Sequence, residues 1–157
     1  MRSVIFVLCV LVVTAYLAVV AWEDHKTCEV TRWKHLLGLS PAIILFCMKI
    51  SEFSRLEVVL LFVFVSMYVL FGYLGVYGVA DGFVLAILTL SFGAVGGVAG
   101  IGIVIVIMIV AGFSFMINHL FICMRKKRKL FQNVAAAFLP HIFVGYIFIC
   151  VGLLHAA

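Results

Sequence analysis

The chain has 157 residues, of which 68% are hydrophobic and 11% are charged, and its formal net charge is +5. A soluble domain carries charge on about a quarter of its residues, so this composition excludes an ordinary water-soluble protein. It predicts an all-α, polytopic membrane protein that forms a single membrane-embedded domain over residues 1–157.

Six apolar stretches are long enough, or nearly so, to cross a bilayer core about 30 Å thick as helices. A barrel is not expected, because the stretches are continuously apolar instead of alternating. The predicted spans are 4–22, 36–50, 58–76, 82–95, 99–123 and 134–154. Pro41 indicates that the second span begins earlier or is kinked, and the glycine-rich residues 93–100 indicate either a tight turn or a close helix contact.

The first span also has features of a cleaved signal peptide. Arg2 precedes the apolar stretch, and residues 19–21 resemble a cleavage site. The stretch is longer than the usual hydrophobic region of a signal peptide, and cleavage would leave Asp24 almost at a free terminus. A retained helix is therefore the preferred prediction.

The distribution of lysine and arginine predicts how the helices are oriented. With the amino terminus outside, the first, third and fifth loops receive Lys26, Arg32, Lys34 and the basic run 125–129, whereas the other side receives Arg2, Lys49 and Arg55. The positive-inside rule then places these three loops in the cytoplasm. The prediction is a multi-pass membrane protein with these loops on its cytoplasmic side.

The basic run at residues 125–129 directly follows a predicted helix. Five charges in this position are typical of a topology determinant held by anionic lipid head groups. Membrane lipids are therefore the expected partners of the run, and nucleic acid is not.

Only two aspartates occur in the chain, Asp24 and Asp81, and each lies where an apolar stretch meets a polar loop. The predicted orientation places both on the cytoplasmic side. Two carboxylates a few ångströms apart do not both ionise readily, so one holds a proton while the other accepts one. Such a pair can activate water and protonate a scissile carbonyl, which is the chemistry of an aspartic protease.

Each aspartate also has a purely structural interpretation. Asp81 is in a position to be the N-cap of a helix that begins at Gly82, and capping is compatible with catalysis. Asp24 has the sequence context of a solvated loop acid beside Glu23 and Lys26. Both interpretations remain open at this point.

No metal site or cofactor is predicted. Glu23, Asp24 and His25 are adjacent, but they lack the HExxH or comparable spacing of metal ligands. The five cysteines are odd in number and mostly lie in apolar spans, which is typical of small buried residues and not of a disulfide framework. A Cys28 nucleophile with His25 or His35 is a less favoured alternative.

Three segments carry a resemblance to a known family. These are WEDHKT at 22–27 followed by VTRW at 30–33, then YGVADG at 77–82, and a later Phe138-Leu139-Pro140 with Gly145 beyond. They resemble the prepilin peptidases, the type IV leader peptidase family of membrane aspartic proteases, to which archaeal preflagellin peptidases are related. The resemblance covers nearly the whole chain. It implies a core of six helices and a location in the cytoplasmic (inner) membrane of a prokaryotic cell.

The resemblance implies that Asp24 and Asp81 are the catalytic pair. In the family the second aspartate ends a GxGD motif, which here reads Gly78-Val79-Ala80-Asp81, so Ala80 replaces a glycine. We expect this replacement to be tolerated, and an inactive relative is the alternative. Bifunctional members carry CxxC motifs in an amino-terminal region and also methylate the mature pilin; because this chain has no CxxC, methylation is not expected.

The implied substrates are type IV prepilins or prepilin-like proteins, cleaved after a glycine at the junction between a basic leader and an apolar helix. Glu23 and Glu29 are the predicted contacts for the leader, because it carries positive charge. Two rival functions are a small proton-coupled transporter subunit, in which the aspartates relay protons, and an inactive structural partner in a pilus or secretion assembly. The transporter predicts further acids deeper in the membrane.

Overall fold

The computed structural model describes residues 2–126 and 137–156. Over these residues the chain is helical and contains no strand, which confirms the all-α prediction. The helices are α1 (Arg2–Thr27), α2 (Lys34–Lys49), α3 (Arg55–Tyr73), α4 (Val79–Gly96), α5 (Val98–Lys126) and α6 (Leu139–Ala156), with a 3-10 turn at Ile50–Glu52. The basic residues 127–129 and the predicted start of the last span at 134 lie outside the described residues.

Five of the helical segments are long and apolar enough to cross a membrane. They are Val7–Thr27, Lys34–Glu52, Arg55–Tyr73, Val79–Gly96 and Val98–Arg125. The apolar part of α6 that could be assessed, Leu139–Gly152, is shorter. Together these helices make the chain a multi-pass membrane protein, because a bilayer core is crossed by about 20 predominantly apolar residues.

Helix α4 lies at the centre of the bundle and contacts α2, α3 and α5, while α1 packs against α2 and α6. A helix that is apolar on all sides is expected to be buried, and α4 fits this rule. Val84, Leu85, Ile87 and Leu88, four residues that cover more than one face of α4, are all fully buried. The central position of α4 places its first turn among the ends of other helices.

The glycine-rich segment 93–100 serves as both a turn and a close helix contact. Gly97, between α4 and α5, has a φ of +56°, which favours glycine. Gly93 lies against the Leu61 side chain, and Gly100 lies against the backbone of Phe92, so that a Cβ atom at either glycine would clash. The two alternatives drawn from the sequence are therefore both correct.

Several helices begin or end at residues other than those predicted, and these differences change the elements in which the two aspartates lie. α1 continues to Thr27, and α4 already begins at Val79, so Asp24 and Asp81 lie in terminal helical turns and not in loops. α2 begins at Lys34, which agrees with the earlier start that Pro41 indicated. Hydropathy misses such ends because polar residues continue a helix beyond the apolar core.

Candidate active site

Asp24 lies in the last turn of α1 and is 8% exposed. Its Oδ2 atom accepts a hydrogen bond of 3.0 Å from the backbone N–H of Leu139, the first residue of α6, and Phe138 also donates its backbone N–H to this carboxylate. The next residue, Pro140, has no N–H to donate. Asp24 therefore caps the amino terminus of α6 from a different helix, and it is not a solvated loop acid.

Asp81 lies in the first turn of α4 and is also 8% exposed. Gly78 is the N-cap, and the Asp81 Oδ2 atom accepts a hydrogen bond of 3.1 Å from its backbone N–H. The alternative in which Asp81 is itself the N-cap of a helix starting at Gly82 is therefore wrong. Asp81 is the third helical residue and bonds back to the N-cap, as the acidic member of a capping box does.

The two carboxylates lie within electrostatic range of each other. Although they come from α1 and α4, which are far apart in sequence, Asp24 and Asp81 interact electrostatically. Two like charges that are largely shielded from water make it costly for both carboxylates to be ionised at once, and groups coupled in this way titrate as a pair.

Gly78 and Ala80 play different parts in the GxGD-like segment. A Cβ atom at Gly78 would lie 2.8 Å from the Asp81 Oδ2 atom, so glycine leaves room for the carboxylate to reach the backbone. Ala80 lies in the helix, and Cys28 is the only non-glycine residue in the described ranges with a positive φ. Alanine at position 80 therefore causes no left-handed backbone strain.

Replacing Ala80 with glycine, which restores the GxGD pattern, should leave activity nearly unchanged. The expected effect is a loss of at most about 1 kcal/mol in the free energy of unfolding, because glycine lowers helix propensity. Thermal unfolding of the purified variant measures the stability, and the rate of the peptide cleavage that the resemblance implies measures the activity. A large gain in activity would show that Ala80 impairs the site.

Gly82 allows the first turn of α4 to lie directly on α3. A Cβ atom there would be 2.6 Å from the Tyr68 carbonyl oxygen. The same carbonyl accepts a hydrogen bond of 2.8 Å from the Tyr77 hydroxyl. Burial is the main cause that raises the pKa of Tyr77 to about 12, so this hydroxyl keeps its proton at neutral pH. These contacts fix the backbone that carries Asp81.

A Gly82→Ala substitution should destabilise the protein by about 1–3 kcal/mol, because the added methyl group pushes α4 away from the α3 backbone. It should also lower activity, since the same shift moves Asp81. Thermal unfolding of the purified protein in detergent measures the first effect. Gly152→Ala is the matched control, because a Cβ atom at Gly152 meets nothing within 4 Å; equal stability losses in both variants would contradict the prediction.

The two glutamates predicted to contact a leader differ in their surroundings. Glu23 Oε1 lies 2.9 Å from Lys34 Nζ and accepts a hydrogen bond of 2.8 Å from the Thr31 hydroxyl. This carboxylate joins the end of α1 to the start of α2. Glu29 is exposed in the intervening segment. Glu29 is therefore more accessible to a charged ligand than Glu23 is.

His35 is a supporting residue that the sequence did not single out for this role. It is 7% exposed, its Nδ1 atom lies 2.7 Å from the Tyr16 hydroxyl, and its ring stacks on Phe83 with 5.2 Å between centroids. Phe83 follows Asp81 by two residues, so the stack holds the start of α4 against α1 and α2. The Tyr16 hydroxyl occupies one of the two ring nitrogens of His35, and in the part of the chain that the structure describes His35 makes no hydrogen bond to Cys28, its partner in the thiol alternative.

A second aromatic group supports the start of α6. The Phe115 ring of α5 lies 5.6 Å from the Phe138 ring and 5.5 Å from the His141 ring, measured between centroids. The Ser114 hydroxyl also lies 2.8 Å from the His141 Nδ1 atom. These contacts hold the backbone that bonds Asp24. The sequence marked Phe138 as part of a family-like segment, but it did not indicate these contacts, because they depend on how α5 and α6 pack.

No group of three or more histidine, cysteine or acidic side chains is arranged to hold a metal ion within residues 2–126 and 137–156. Comparison with protein-family models, curated proteins and solved structures finds no match. Membership of the prepilin peptidase family therefore remains a prediction. The function has to be inferred from the two carboxylates and their surroundings.

Proposed function

We propose that the chain is a membrane aspartic endopeptidase that removes the basic leader from type IV prepilins or prepilin-like proteins. The observation that carries this proposal is the pair Asp24 and Asp81, two buried carboxylates that interact at one end of a helical bundle. An isolated buried carboxylate is costly, and two neighbouring ones are costlier still. Such a pair is a frequent mark of a functional site.

The proposed chemistry uses water as the nucleophile and needs no cofactor. One carboxylate of the pair accepts a proton from water as its oxygen attacks the scissile carbonyl, while the protonated partner donates to the carbonyl oxygen. When the tetrahedral intermediate collapses, the carboxyl group that took the proton from water gives it to the leaving amine. The other carboxylate takes back a proton from a hydroxyl of the intermediate. The hydrogen bonds from Leu139 and Gly78 hold the two carboxyl groups in place for these transfers.

The location of the pair fits a substrate with a membrane helix and a polar leader. Asp24 ends α1 and Asp81 begins α4, so both lie at a boundary of the apolar spans. A substrate helix parallel to the bundle would bring the start of its apolar segment to the pair, with the leader outside the membrane. We infer that the scissile bond lies at this junction.

Charge supports a cytoplasmic location for this end of the bundle. The described basic residues at the aspartate end are Lys26, Arg32, Lys34, Arg125 and Lys126, whereas Arg2, Lys49 and Arg55 lie at the other end. Under the positive-inside rule, this asymmetry orients the aspartate end toward the cytoplasm of a prokaryotic cell. The proposed location is the cytoplasmic membrane.

The acids offer no support for a proton-coupled transporter. All six acidic residues of the chain are described, and four of them, Glu23, Asp24, Glu29 and Asp81, lie at one end of the bundle. The other two, Glu52 and Glu57, lie at the opposite end. A proton path would require ionisable groups between these ends. The inactive-partner alternative was based on Ala80, and Ala80 has no left-handed backbone strain.

Co-expression with a panel of prepilin-like substrates tests the proposal. We expect a shift in substrate mobility, and amino-terminal sequencing of the product should locate the cut between the basic leader and the apolar helix. Cells that express the substrate alone provide the control. Failure to cleave any substrate of a broad panel by a well-expressed, folded protein would contradict the proposed activity.

A further inference from the structure

A cavity of about 460 Å³ lies between the helices in the half of the bundle away from the aspartates. All helices except α3 contribute to its lining. Val13 and Tyr146, from α1 and α6, form part of a buried wall, and the exposed Val95 and Gly96 of α4 mark its rim. The cavity therefore opens near the end of α4 that is remote from Asp81.

The position of the cavity along the helices places it within the hydrocarbon region. Val13 precedes Asp24 by 11 residues, and Ser91 follows Asp81 by ten residues. With a rise of 1.5 Å per residue, both lie roughly 15 Å from the aspartate end. The cavity extends further, to Gly96, so it occupies the leaflet opposite the aspartates.

The polar side chains at the cavity already have partners. The Ser91 hydroxyl donates to the Ile87 carbonyl at 2.8 Å, and the Tyr146 hydroxyl lies 2.7 Å from the Thr14 hydroxyl. The rest of the lining is almost entirely apolar. A bound water needs two to four polar partners, and apolar cavities of about 150 Å³ stay dry and take up benzene. This larger cavity is therefore suited to hydrocarbon.

We propose that the cavity binds one acyl chain of a membrane phospholipid. The chain enters past Val95 and Gly96 from the leaflet opposite the aspartates, where acyl chains are the surrounding medium. A peptide helix is a poor occupant, because a helix about 10 Å across fills 460 Å³ with roughly one turn. The site is independent of the proposed peptidase activity and would stand if that activity were wrong.

Photolabelling in vesicles tests this site. The full chain is reconstituted in phosphatidylethanolamine and phosphatidylglycerol, with a small fraction of phosphatidylethanolamine that carries a diazirine near the end of one acyl chain. After illumination, labelled residues are mapped by mass spectrometry. We expect Ser91 and Cys150 at the cavity to be labelled more strongly than Cys47, which is exposed on α2 and does not line the cavity.

Two variants block the cavity from different sides. Gly96→Phe places a ring at the rim, where a Cβ atom meets only Ala99 at 3.9 Å, and Val10→Phe fills the cavity from α1. Labelling of Ser91 and Cys150 should be lost in both. Gly112→Phe is the matched control, because its Cβ position is open and outside the cavity lining; labelling should persist.

Three results would overturn the proposal. The first is labelling of Ser91 and Cys150 in the wild-type protein that is no stronger than labelling of Cys47. The second is labelling that persists in a folded Gly96→Phe or Val10→Phe variant, as judged by a monodisperse elution profile. The third is displacement of the lipid label by an apolar helical peptide, which would identify a different occupant.

Discussion

Asparagine in place of either Asp24 or Asp81 should abolish leader cleavage. Each substitution removes one of the two groups that exchange protons with water and the scissile carbonyl, so we expect the cleavage rate to fall on the order of 10³-fold or more. Asparagine retains a carbonyl oxygen that can accept the hydrogen bond from Leu139 or Gly78. Folding should therefore be largely preserved while chemistry is lost. Initial rates with purified protein in detergent measure the effect.

Glu52→Gln provides the matched control for these variants. It removes a carboxylate at the opposite end of the bundle, where Glu52 pairs with Lys49 at 2.6 Å. Cleavage by this variant should equal that of the wild type. Retained cleavage by Asp24→Asn or Asp81→Asn, at equal protein levels, would exclude the two-carboxylate mechanism even if leader cleavage itself were real.

Alanine at position 24 should destabilise the fold where asparagine does not. Asp24→Ala leaves the backbone N–H of Leu139 without its partner in a buried setting, which costs about 1–3 kcal/mol. Phe138 loses a partner as well. We expect a lower thermal midpoint for Asp24→Ala in detergent and a midpoint near the wild-type value for Asp24→Asn.

The difference between the alanine and asparagine variants separates the two roles of Asp24. Both should be inactive, but only alanine should loosen the start of α6. Faster amide hydrogen exchange at the start of α6 in Asp24→Ala would locate the effect. Equal stability of the two variants would show that Leu139 finds another partner and that the capping bond contributes little.

The sequence by itself determined the class of fold and the most informative side chains. Continuous apolar stretches predicted a helical membrane protein, because only helices satisfy the backbone of such segments in lipid. The scarcity of aspartate drew attention to Asp24 and Asp81. The glycines at 93–100 indicated a turn or a close contact, since a missing side chain permits both. These inferences depend on local composition, which a sequence displays directly.

The surroundings of the two aspartates depended on the tertiary structure. The local sequence suggested that Asp81 is an N-cap and that Asp24 is a solvated loop acid. In the structure Gly78 is the N-cap, and Asp24 accepts a hydrogen bond from the first residue of α6. The contacts of His35 and Phe115 were equally invisible. Each joins residues from different helices, and hydropathy carries no information on which helices are neighbours. Only packing decided that α1, α4 and α6 place their ends together, because this arrangement is set by side-chain shape and close backbone approach at positions such as Gly82.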